Sequence, residues 1–202
     1  PDGSNYTAAI GTLQSTGVIK NVVFNYQRTT SGNVTQTGGL VSANFGTIRN
    51  LVMTVKLGNI RPNYNEGFVA FTNRKSGVIE NFSIKIEKEL HARNGIGIIT
   101  CRNSGKIRRG VVYGKNVVME STVYGGDKTV GSGGFGTIAY SNEATGVVED
   151  VFTLMNTVVE YNNSSWYMDQ TAGIIGSNSG TVRNSFFVGD NYYYTYEDNK
   201  QS

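Results

Sequence analysis

The chain has 202 residues, 38% of them hydrophobic, with 26 glycines, 2 prolines, one cysteine and a net charge of +3. That length holds one domain with a sizeable core. The charge is too small to call for nucleic acid, one cysteine excludes an intrachain disulfide framework or a cysteine-rich zinc site, and no run approaches the ~18 apolar residues of a membrane-spanning helix.

The opening, PDGSNYTAAIG, has no Met, basic n-region or apolar signal run, and reads as a piece of a longer protein or a processed form. A first phrase, GVIKN from Gly17, is followed by Val22, Phe24 and Tyr26 at alternate positions. A second, GTIRN from Gly46, follows GGLVSANF and leads into Leu51, Met53 and Val55, with Thr54 and Lys56 between them. The third is GVIEN from Gly77, after which Phe82, Ile84 and Ile86 alternate with Ser83, Lys85 and Glu87. GKIRR from Gly105, GVVED from Gly146 and GTVRN from Gly180 complete the set, at successive intervals of 29, 31, 28, 41 and 34 residues. Five of the six phrases are preceded by an Asn, at positions 44, 73, 103, 142 and 178. Six copies with matching flanks are a repeat.

Period-two alternation predicts strands with one face buried, and the one-residue slip between Ile48 and Leu51 predicts a bend at Asn50. Only SIKIEKELHAR offers a helical rival, with Glu87 and His91 one turn apart. Strands recurring every ~30 residues predict an all-β, right-handed parallel β-helix (a β-solenoid) of about six coils, each of about three strands, stacked at roughly 4.8 Å. Propeller blades run longer, and an immunoglobulin-type sandwich does not call for six matching anchors. The whole of 1–202 reads as one such domain, with loop excursions near 114–133 and 161–171.

Stacking has internal consequences. The anchor residues Ile19, Ile48, Ile79, Ile107, Val148 and Val182 should lie in single file. The next position reads Lys20, Arg49, Glu80, Arg108, Glu149, Arg183, and alternates in sign from Arg49 onward, as stacked strands favour by roughly 0.2–1 kcal/mol per opposite pair. The position after that (Asn21, Asn50, Asn81, Arg109, Asp150, Asn184) reads as turn residues able to bond one another in a ladder. The anchor glycines mark positive φ or close backbone approach; a phosphate loop would need a Gly-Lys-Ser/Thr ending and a helix. Between Arg49 and Lys115 there are 13 Lys or Arg against 4 Asp or Glu, leaving the rest of the chain at −6. That distribution predicts a basic belt that attracts anionic surfaces or acidic partners.

GGLVSANFGTIRN and GIIGSNSGTVRN resemble the GLUG repeat, roughly Gly-Gly-Leu-Val-Gly-x-Asn-x-Gly-x-Ile-x-Asn, and the resemblance runs from about residue 9 to 190. Gly176 keeps the third glycine, while Ser42, Ala70, Thr100 and Ala139 substitute other small residues. The resemblance implies an extracellular bacterial setting, secreted or attached to the cell surface. Such repeats form β-helical segments of filamentous-haemagglutinin-like adhesins and of streptococcal metallopeptidases that cleave immunoglobulin A. The His-Glu-x-x-His motif of those peptidases is absent from this chain, which has one histidine.

Candidate chemistry is sparse. Glu87, Glu89 and His91 would share a strand face, which fits a solvated strand end better than a metal site. No carboxylate pair at the spacing of a glycosidase or lyase stands out, and Glu149 and Asp150, as strand neighbours, should point to opposite faces. Cys101 reads as a free thiol, packed or on the surface, with no cue for reactivity. The longer intervals carry the candidate binding residues Tyr161, Trp166, Tyr167 and Asp169, because loop aromatics can grip a protein or stack on a sugar. The tyrosine-rich tail, NYYYTYED, reads as a cap or as the beginning of a coil. The expected function is a non-catalytic recognition or spacer segment, with no cofactor or metal and no membrane insertion. Its expected partners are a host protein of immunoglobulin type, a glycan, or other domains of the same polypeptide. The alternatives are a carbohydrate-active β-helix and a purely structural adhesin stalk.

Overall fold

A computed structural model describes residues 6–28, 36–57, 65–92, 95–121, 134–162 and 171–196. Every regular element among them is a strand, and every pairing between strands is parallel. SIKIEKELHAR is no helix: Val78–Ile86 and Leu90–Ala92 are both strands. The chain is a parallel β-solenoid.

Three stacks run the length of the molecule, and each has a characteristic strand. One holds two- and three-residue strands such as Asn65–Gly67. The second holds the four-residue strands Ile10–Leu13, Val41–Asn44, Ala70–Asn73, Thr100–Asn103, Ala139–Asn142 and Ile175–Asn178. The third holds the long strands that begin at the anchors, from Val18–Arg28 through Thr47–Leu57, Val78–Ile86, Lys106–Gly114 and Val147–Leu154 to Thr181–Arg183 and Phe186–Val188. A fourth, unexpected sheet lies on the later coils and is built from Leu90–Ala92, Val117–Ser121, Thr157–Asn162 and Asn191–Tyr196. The expectation of three strands per coil is therefore corrected to four where this sheet is present. The first part of the excursion expected near 114–133 is strand rather than loop, while 122–133 and 163–170 lie outside the described residues. The tyrosine-rich tail begins as a regular strand on the edge of the fourth sheet.

About four turns are complete, against the six coils expected. The difference lies at the ends. Ile48, Ile79, Ile107 and Val148 are fully buried, whereas Ile19 is half-buried and Val182 is exposed. An outermost rung has a neighbour on one side only. The single file itself holds from Ile19 to Val182 without a slip. One continuous apolar core fills the interior, from Leu40 to Met155.

The bend after each anchor is a left-handed residue. Asn21, Asn50, Asn81, Arg109, Asp150 and Asn184 all have φ between 49° and 58°. Asn and Asp tolerate that conformation; most side chains pay about 1–2 kcal/mol for it. The anchor glycines do not carry the positive φ. They allow close approach instead: a Cβ on Gly46 would sit 2.3 Å from the Gly17 carbonyl oxygen, and one on Gly105 2.3 Å from those of Arg74 and Gly77.

The bend also resets the alternation, so two consecutive residues face outward. Arg108 and Arg109 both bond Oε2 of Glu80. Glu149 and Asp150 occupy the same two positions and both make outer-face contacts, which corrects the expectation that they point to opposite faces.

Two amide ladders climb the stack. The outer one joins Asn50 to Asn21 at 2.7 Å and Asn81 to Asn50 at 3.2 Å, and continues through Arg109 Nε to Asn81 at 2.9 Å. The inner one is buried from Asn44 to Asn142. Asn44, Asn73, Asn103 and Asn142 each donate Nδ2 to Oδ1 of the next Asn, ending at Asn178, every bond 2.8 Å long.

Two outcomes test this geometry. Asn50→Ala should cost about 1–2 kcal/mol more than Asn50→Gly in equilibrium urea unfolding, because only Ala carries a Cβ into the left-handed region. Asn103→Ala should cost roughly 3 kcal/mol, since it strands buried amide groups of Asn73 and Asn142, while Asn178→Ala at the open end should cost less than about 1 kcal/mol.

Candidate functional site

Of the expected binding residues, Trp166, Tyr167 and Asp169 lie outside the described residues. Tyr161 is described only as backbone, in register with Ser121 and Thr195 in the fourth sheet. The backbone of His91 lies in the same sheet opposite Val118. Glu87, read as part of a solvated strand end rather than a metal site, pairs with the preceding rung: Lys56 Nζ lies 3.0 Å from its Oε1. That hydrogen bond and the lysine's charge hold the Glu87 carboxyl below its ordinary value. Among the described residues, no three His, Cys, Asp or Glu side chains come together as a metal site would require.

Cys101 is fully buried, its Sγ 3.8 Å from the Gly95 carbonyl oxygen, and burial pushes its thiol from 9.0 up to about 12. Of the two readings open for it, packed rather than surface is correct.

Two groups stand out among the described residues of the basic belt. Arg108 and Arg109 are drawn onto Glu80, at 2.8 and 2.5 Å. Arg74, Lys75, Arg102 and Lys106 are exposed around one corner of the third and fourth rungs, with Arg74 5.9 Å above the Phe45 ring.

The most distinctive surface is the outward face of the long-strand sheet. The charge column runs up its leading side in register. Arg108 lies 3.9 Å from Glu149 as well as 2.8 Å from Glu80, and Arg183 closes on Glu149 from above. Beside it stands a column six residues beyond each anchor glycine: Val23, Val52, Ser83, Val111, Phe152 and Phe186. Eight residues beyond the anchor, the last three rungs place Tyr113, Leu154 and Val188 in file. These are not strays at the margin of a core: Phe152 is 47% exposed, Leu154 47%, Phe186 57% and Val188 61%. The two phenylalanine rings stack on each other with centroids 5.5 Å apart and planes 15° apart. Contiguous apolar surface of this kind marks interaction sites on soluble proteins.

The loops drew the sequence reading away from this face, yet the signal was present. Counting six and eight positions from each anchor glycine exposes the apolar columns; the assumption that outward positions are polar hid them.

Comparison with protein families, with curated proteins and with solved structures finds no match to the chain. The parallel β-solenoid therefore stands on its own geometry.

The buried thiol gives a test of the core. Cys101 should resist a thiol reagent in the folded protein and react on unfolding. Because its folded value lies above its unfolded one, its contribution to stability is complete below pH 9.0 and is lost as the pH rises towards about 12. Urea unfolding across that interval should decline less steeply in Cys101→Ala than in the parent.

Proposed function

We propose that the chain is a non-catalytic β-helical segment of a larger extracellular bacterial protein. In this role it holds recognition elements at fixed positions or spaces a domain found elsewhere in the full polypeptide. The observation that carries this reading is the engagement, among the described residues, of the buried amides and of three glutamates in the stack itself. The buried amides are bonded rung to rung, and Glu80, Glu149 and Glu87 are held by basic residues of neighbouring rungs. Such an arrangement favours stiffness over chemistry. A stiff support lowers the ordering cost of any surface mounted on it.

The finer part of the proposal rests on the repeat phrase. GGLVSANFGTIRN and its five variants resemble the GLUG repeat, and the buried position of the motif's Asn gives that resemblance a physical reason. On this reading the protein is secreted or cell-surface attached and accompanies an immunoglobulin-A-type metallopeptidase domain or forms part of an adhesin. Its ligand is a host protein of immunoglobulin type or a glycan, with Tyr161, Trp166, Tyr167 and Asp169 as the proposed contacts.

The test is binding of the 202-residue chain to immunoglobulin A and to a panel of host glycans. Trp166→Ala and Tyr167→Ala should each weaken a detected interaction about tenfold or more, the scale of a buried aromatic anchor, while leaving the thermal unfolding curve in place. Unchanged affinity in both variants removes these residues from the site. Hydrolysis or elimination of a polysaccharide by the purified chain would replace the proposal with the carbohydrate-active reading.

A further inference from the structure

The outward face of the long-strand sheet has a property that goes beyond recognition through loops. Over the last four rungs, the charge column reads Glu80, Arg108, Glu149, Arg183. Read backwards, it becomes its own complement: Glu80 falls opposite Arg183, and Arg108 opposite Glu149. The neighbouring apolar column behaves alike in size. Its reversal sets Ser83, the smallest member, against Phe186, and Val111 against Phe152. In the third column, reversal sets Tyr113 against Leu154 and the aliphatic stem of Lys85 against Val188.

We propose that this face is where two copies of the chain pair, sheet on sheet, with their solenoid axes antiparallel. The two-fold axis lies along the strands, between the rung of Arg108 and the rung of Glu149. It reverses the order of rungs and keeps every column facing itself, as an isologous interface requires. Sliding one copy by a single rung would put Glu149 against Glu149 and Arg108 against Arg183, so the charges select one register.

The scale is adequate for a modest dimer. Four rungs at about 4.8 Å and eight residues at about 3.3 Å give a footprint of roughly 500 Å² per copy. The pair totals on the order of 1,000 Å², close to the lower bound for a specific interface. Phe152, set against Val111 of the other copy, lies at its apolar centre, with the half-exposed Phe186 stacked on it one rung further out. Packing of two sheet faces at about 10 Å then brings Phe186 of each copy over the small Ser83 position of the other.

Sedimentation of the 202-residue chain over a micromolar concentration series should show a reversible monomer–dimer equilibrium. Phe152→Lys should weaken association at least tenfold without moving the circular dichroism spectrum, since the ring it replaces is exposed. Trp166→Ala should leave dimerisation intact, which separates this inference from the proposed recognition role. The register is read by mixing Ser83→Cys with Phe186→Cys and adding a short bis-maleimide. The mixture should give a cross-linked dimer, and neither variant alone should, because equivalent positions lie several rungs apart across the axis. Cys101 is buried and supplies the unreactive background. A monomer at every concentration overturns the proposal. Cross-linking of Ser83→Cys to itself as readily as in the mixture overturns the antiparallel arrangement.

Discussion

The architecture depends on one repeated bond: a buried carboxamide donating to the same carboxamide one rung on. Asn44, Asn73, Asn103 and Asn142 are all fully buried, and a buried amide is tolerated only when its donors and acceptor are met. In this chain the partner is a copy of itself, 2.8 Å away in every case. That requirement is stricter than hydrophobic burial. An Ile column can slide or tilt and remain buried. A carboxamide displaced by one residue would enter the core alone, at a cost of about 1–3 kcal/mol per unmet group. The ladder therefore sets the register to which the apolar columns conform. It also explains how the interval between anchors can stretch from 28 to 41 residues with no slip in pairing. Extra residues are accommodated between the ladder positions of successive rungs.

Much of this was legible before any coordinates, and what was legible had a local signature. The anchors recur with correlated flanks, so the single file from Ile19 to Val182 follows from counting. The alternation slip after Ile48 implies a bend at Asn50, and φ of 55° there is the bend. Less legible were features set by three-dimensional context. The Asn upstream of five of the six anchors stands out as a repeat position, yet nothing local says that it is buried, while the exposed Asn downstream looks equally ladder-like. The fourth sheet uses segments such as Leu90–Ala92 and Val117–Ser121, which share no phrase and pair only because the anchored rungs bring them level. The bend's side effect, two successive residues facing outward, inverts the strand rule at Glu149 and Asp150. The candidate site was legible only in part. Trp166 and Tyr167 advertise themselves by composition. The apolar columns on the long sheet appear only when all six copies are superposed, because any one copy shows at most two unremarkable apolar residues there.

The outer surface follows a different logic from the core. Where the anchor is followed by Arg109 instead of Asn, the left-handed conformation is less favourable, but the guanidinium gains Asn81 and Glu80 in compensation. The register of Lys20 with Arg49 tolerates two like charges one rung apart. Exposed charges at that spacing are screened by solvent and salt, so the buried column outweighs them. Stacking thus dictates which residues become neighbours on the surface, and the surface chemistry is selected within that constraint rather than against it.

This order of precedence bears on how the face could acquire a role. A solenoid cannot move one outward residue relative to another without breaking the ladder beneath, so the spacing of surface groups is invariant along the axis. Alternating charges at that spacing neutralise one another within a copy, as Glu149 does between Arg108 and Arg183. The same alternation, offered to a partner with the same spacing, is complementary in one direction of approach and repulsive one rung away. A regular rod with an alternating column therefore carries a register code. The apolar residues beside that column, left in water by the last three rungs, supply the burial that such a code alone lacks.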